Sequence, residues 1–140
     1  MGYGERKGMK KIDWSGGLNN FYRRKIVKAS LQLTAKACGV EYSEVAAIKR
    51  KASVAFARQL SMYLCHVVGD MSLRDVATEF GRDRTTVSHA CHAIEDRREC
   101  PIFDRQIEHL ERNLKGRIRD LVDTADMHPS KEMKMARLAG

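Results

Sequence analysis

The sequence predicts an all-α fold, a bundle of about five or six helices containing a helix-turn-helix, and three observations lead there. Only two prolines occur in 140 residues, with 43% hydrophobic and 31% charged side chains. Apolar residues recur at three- and four-residue spacing through most of the middle of the chain. Glycines at Gly39, Gly69 and Gly81 punctuate these stripes where helices would end.

The elements follow in order. Residues 1–18 are Gly- and Lys-rich without periodicity and read as a mobile basic tail, with the folded domain spanning 19–124 and a second tail 125–140. From Asn19 to Cys38 a helix is expected, with Ile26, Ala29, Leu33 and Ala37 as one stripe and Val27, Leu31 and Ala35 widening it. Ser43 is the expected cap of a short helix through Ile48. Lys49-Arg50-Lys51 then forms a compact basic loop, and Ser53 the expected cap of a helix from Val54 to about Val68. Phe56, Leu60, Leu64 and Val67 give that helix its inward side. Past the central motif, Pro101 interrupts the chain, and a last helix from Phe103 to Val122 repeats Ile107, Leu110, Leu114, Ile118 and Leu121. Its opposite side mixes charges (Arg105, Glu108, Glu111, Arg112, Lys115), as a solvated face does. The stripe spans only a few turns, so a monomer is expected rather than a coiled-coil dimer.

The stretch Ser72–Glu95 organises the rest. Ser72, with Asp75 three residues on, marks a helix start, and Leu73, Val76, Ala77 and Phe80 give that helix one apolar face. Gly81 ends it, since glycine enters the left-handed conformation without a Cβ clash. Asp83 is the expected cap of the next helix through its carboxylate. There Val87, Ala90, Cys91 and Ile94 face inward, while Thr85, Ser88, His89 and His92 share the outer side with Arg84. A short, polar, donor-rich outer face is what a helix entering a DNA major groove requires.

Charge supports a polyanionic partner. The net charge is +8, and residues 1–51 hold 12 Lys/Arg against 4 Asp/Glu, whereas residues 52–100 hold 6 against 7 and residues 101–140 hold 8 against 7. No apolar run is long enough for a transmembrane helix, and no apolar signal segment opens the chain, so a cytoplasmic, nucleoid-associated protein with no membrane contact is expected. Cys38, Cys65, Cys91 and Cys100 form no C-x-x-C pair. In Cys65-His66 and Cys91-His92 the adjacent side chains diverge by about 100° on a helix, so neither chelates a metal, and Cys65 and Cys91 fill apolar stripes instead. No nucleophile–base pair, paired carboxylates or Walker phosphate loop stands out. The expectation is a protein with no catalytic residue, no cofactor and no metal.

The wording of two segments goes further than their periodicity. GRDRTTVSHA (Gly81–Ala90) resembles the signature G-R-D-H-T-T-V-x-H-A of the C-terminal DNA-binding domain, domain IV, of the DnaA initiator family. KRKASVAFARQLSMYLC (Lys49–Cys65) is similar to that family's basic loop and following helix, with its R-Q-x-A-M-Y-L ending. The resemblance covers about residues 24–114 and implies a Trp-repressor-like helix-turn-helix. It also implies that Arg50 enters the minor groove while Lys49, Lys51, Arg58 and Gln59 hold phosphates. At the matching positions of the second helix, Asp83 accepts from cytosine, Thr85 and Thr86 meet base edges or phosphate, and His89, with Ser88 beside it, reaches along the major groove. Guanidinium is a planar, permanent charge suited to a narrow, negative groove. Arg84 stands where the family has His, and pairs with guanine or holds phosphate. Arg74 occupies a position often held by proline, on the same candidate surface, and a single glycine precedes Arg82 where many members have two. These departures bear on the preferred sequence more than on the fold.

Double-stranded DNA with sites like the initiator's nine-base-pair box is therefore the expected partner, and regulation of replication initiation or transcription the expected task of a bacterial protein without the family's ATPase module. The alternative is an interaction protein that binds the initiator or its inactivating factor, with DNA binding secondary.

Overall fold

The computed structural model describes residues 18–47 and 51–127. Among them lie six helices and no strand: α1 (Leu18–Cys38), α2 (Tyr42–Ala46), α3 (Ala52–Val67), α4 (Leu73–Phe80), α5 (Arg84–Arg97) and α6 (Pro101–Met127). Residues 1–17, Ile48, Lys49, Arg50 and residues 128–140 lie outside the described residues, and so do the expectations placed on them.

The hub is α3, buried over most of its circumference by Val54, Ala57, Leu60, Met62, Tyr63, Leu64, Cys65 and Val67. Residues two apart on a helix differ by about 200° and face opposite ways. Ser61 thus meets α1, where its carbonyl accepts from the Ser30 hydroxyl at 3.1 Å and its own hydroxyl bonds that of Thr34. On the other side the Tyr63 hydroxyl donates to the Glu95 carboxylate of α5. Helices α5 and α1 therefore pack against opposite sides of α3, while Arg23 of α1 reaches Asp75 of α4 at 3.7 Å.

The stripe expected of α1 is rotated in the structure. Ala37 is exposed and Leu33 half-buried, while Ser30 and Thr34 are buried. These hydroxyls take interior positions because each finds a partner on α3 or on its own helix, which removes the cost of burying them. Hydropathy spacing scores them as polar and misses the pairing.

Helix ends show how far local chemistry carries. The Ser72 hydroxyl accepts from the Asp75 N–H at 3.0 Å, as expected, and Gly81 closes α4 in the left-handed conformation. The other expected caps differ. Glu41, not Ser43, precedes α2; Lys51, not Ser53, precedes α3; and Pro101, rather than breaking the chain, is the first residue of α6. Proline suits that position because its missing N–H would have no helical partner there.

At the α3–α4 turn the roles of the two residues are also split. Asp70 takes the left-handed backbone (φ 56°), while Gly69 is required by space: a Cβ there would sit 2.5 Å from the Cys65 carbonyl oxygen and 2.9 Å from Ile26 Cγ2. His66 braces the same turn through Nδ1, 2.7 Å from the Met71 carbonyl.

Arg98, just past α5, joins three helices: it donates to Asp104 at 2.6 Å, to the Tyr63 hydroxyl at 2.9 Å and to Glu111 at 3.0 Å. Burial works against its charge, but these bonds to Asp104, Tyr63 and Glu111 outweigh it and raise its pKa. Glu111, expected on the solvated side of α6, is 3% exposed because of this partner.

Cys65 and Cys91 lie fully buried, as expected, and burial pushes both thiols up to about 12. Cys100 is the opposite case: it is exposed at the start of α6, where the N–H groups of Phe103 and Ile102 lower its pKa. In the folded protein a thiol reagent at neutral pH will label Cys100 rapidly, and Cys65 and Cys91 only on unfolding. Peptide mapping of a labelling time course checks this; early modification of Cys65 or Cys91 would contradict the packing.

Candidate nucleic-acid interface

The outer face of α5 is built by subtraction. Val87, Ala90, Cys91 and Ile94 are committed to the core, leaving Asp83, Arg84, Thr85, Thr86, His89 and His92 exposed, with Ser88 half-buried between them. Asp83 precedes the helix as expected, but its carboxylate makes no capping bond; only its backbone carbonyl starts the helix, accepting from Val87 N–H at 3.1 Å. The exposed carboxylate is thus left available for an external donor. No acidic residue stands in the first turn of α5, and the Asp83 carboxylate at its N-cap sits beside the positive dipole end.

His92 ends the outer face that the sequence predicts. Its Nδ1 lies 2.8 Å from the Ser88 carbonyl. A carbonyl only accepts, so Nδ1 carries the proton in this bond.

The remaining site residues divide. Lys51 is exposed directly ahead of α3, and Gln59 is exposed on it. Lys49 and Arg50 lie outside the described residues. Arg74 is exposed at the start of α4, about 10 Å by helix rise from the Gly81 turn, and is the one member set at the far end of that helix. Arg58 departs from the surface phosphate contact expected of it. It is 7% exposed, and its guanidinium donates to the carbonyls of Val45, at 3.3 Å, and Ala47. Burial lowers its pKa, and so does the nearby charge of Arg82.

That last interaction locates the parts. Ala47 is the residue immediately before the Ile48–Lys51 segment, and Arg82 lies in the turn between α4 and α5. One guanidinium is bonded to the first and electrostatically coupled to the second. Ala47 and the turn that opens α5 therefore both lie near the Arg58 guanidinium.

Among the described residues no group of His, Cys, Asp or Glu is arranged to hold a metal ion. No described helix is long and apolar enough to cross a membrane.

A glycine-turned helix pair with its second helix exposed along a hydroxyl- and imidazole-bearing face defines a helix-turn-helix domain of the DNA-binding kind. Residues 27–94 match the family model described as bacterial dnaA protein helix-turn-helix. Chromosomal replication initiator proteins DnaA from Thermoanaerobacter sp. and Thermoanaerobacter pseudethanolicus are each 33% identical over 100 residues, 71% of this chain. The chain spans 23% of the length of those relatives. A solved structure titled as that of a DNA replication initiation factor superposes with a TM-score of 0.65 at 27% identity, covering 72% of this chain and 32% of the other.

Proposed function

We propose that this chain binds duplex DNA sequence-specifically at sites like the nine-base-pair boxes of DnaA, and regulates replication initiation or transcription by occupying them without hydrolysing ATP. The observation that carries this is the exposed hydroxyl- and imidazole-bearing face of α5, opened by the left-handed Gly81 turn, with Lys51 exposed at the start of α3. A duplex is gripped when a helix lies in the major groove and cations hold the adjacent backbone or minor groove.

Roles follow from chemistry. Lys49, Lys51, Gln59 and Arg74 supply backbone contacts, and Arg50 the minor-groove contact. Asp83, Arg84, Thr85, Thr86, Ser88 and His89 read base edges or hold the phosphates flanking them. His92, exposed on the same helix, extends the reading face.

The test is a salt titration of binding to a box-containing duplex against a scrambled one. Binding to both falls with salt, with the box duplex favoured at every concentration. Arg50→Ala weakens binding to both duplexes and lowers the salt slope by roughly one counterion. Thr86→Ala and His89→Ala lose about 1–3 kcal/mol on the box duplex and little on the scrambled one. Equal affinity of the unaltered protein for both duplexes would reject sequence-specific binding. Identical profiles for Arg50→Ala and His89→Ala would reject the division of labour.

A further inference from the structure

The side of the molecule turned away from α5 carries a feature that box recognition does not use. Helix α1 contains five Lys/Arg and no Asp/Glu. Arg24, Lys28 and Lys36 are exposed, at spacings of four and eight residues, with Gln32 completing the row and Arg117 of α6 bonded to it at 3.0 Å. Among the described residues none of Arg24, Lys28 and Lys36 has an ion-pair partner. Like charges four apart weaken a helix, so the repeat does not serve α1 itself.

The direction of this row is fixed by the bundle. Lys28 and Lys36 are each two residues from a hydroxyl, Ser30 and Thr34, that bonds Ser61 on α3, so they point about 200° away from α3. Because α5 packs on the other side of α3 through Tyr63 and Glu95, the row and the outer face of α5 look in opposite directions.

We infer that the outer face of α1 is a second polyanion site, which takes the phosphate backbone of another DNA duplex while α5 occupies the first. The row extends about 18 Å, enough to follow several phosphates. Its chemistry selects this occupant. The large apolar side chain exposed beside it is Phe21, at 37%, and the Lys25 ammonium covers its ring at 4.5 Å. A membrane-surface helix needs a broad apolar face, and a protein interface an apolar or aromatic centre; neither is present. Contact through phosphates alone carries no sequence preference.

The experiment uses the full chain bound to a surface-tethered box duplex, with a fluorescent random-sequence duplex in solution. The unaltered protein captures the second duplex, and capture falls about 40-fold between about 50 and 200 mM salt, as three released counterions require. The variant combining Arg24→Glu, Lys28→Glu and Lys36→Glu keeps its helical circular dichroism and its binding to the tethered box, and loses capture. Equal capture by the variant, or no capture by the unaltered protein while it holds the box, overturns the inference. So does retention of anionic phosphatidylglycerol vesicles in place of the duplex. If the tethered box is not bound at all, the function proposed above fails instead, and direct titration with the random duplex decides the row: weakened binding in the triple variant supports it, unchanged binding overturns it.

Discussion

Replacing Arg98 by Met will lower unfolding stability by about 3–5 kcal/mol, the largest loss expected from any single surface-to-core contact in the bundle. The arginine holds Tyr63 of α3 and Asp104 and Glu111 of α6, and its removal takes a charged donor from a carboxylate that is 3% exposed. Much of the cost lies in keeping that buried charge with fewer donors, so a second change, Glu111→Gln, recovers part of the loss although it restores no ion pair. Urea unfolding of the single and double variants measures this. A loss below about 1 kcal/mol in Arg98→Met would mean that water reaches Glu111 and that the network is a surface decoration.

The second large effect is expected at Arg58. Arg58→Met leaves the Val45 and Ala47 carbonyls without their donor and costs about 1–3 kcal/mol in the absence of DNA. Arg58→Lys does not rescue it, because an ammonium lacks the planar fork that reaches both carbonyls. On DNA both variants weaken binding to box and scrambled duplexes alike. A direct phosphate contact predicts the converse pattern: unchanged stability without DNA and a salt slope lower by about one counterion in Arg58→Met, with recovery in Arg58→Lys. Unfolding and binding measured on the same two variants separate the roles.

Arg58 also marks the limit of what the sequence discloses. Resemblance assigned it to the surface, where a basic residue usually stays; nothing in its neighbours tells that two carbonyls lie close enough to draw it inward. Ser30, Thr34 and Glu111 share this property. Each is a polar residue taken into the interior by a partner 13 to 31 positions away in the chain, through Ser61 or Arg98. Periodicity records hydropathy, not pairing, and so the rotation of α1 and the Arg98 network were not legible.

What local chemistry governs was legible. The six helices, the Ser72 cap, the left-handed Gly81 and the apolar stripes of α4, α5 and most of α6 depend on residues within a turn or two of one another. The exposure of the Asp83–His89 face follows from the same periodicity, because Val87 and Ala90 fix which way α5 turns. Caps were less legible where several candidates adjoin. Ser43 and Ser53 each lie one or two residues inside a helix whose start is set by the chain on either side.

The buried hydroxyls between α1 and α3 constrain assembly as well as stability. An oily contact tolerates a helix sliding by one turn with modest loss, since one aliphatic surface replaces another. Ser30, Thr34 and Ser61 do not allow this: displacement by a turn would set their oxygens against hydrocarbon. They act as a register key, so the two helices dock in one alignment or not at all, and the angular offset between the α1 surface and the α5 surface is inherited from that single choice.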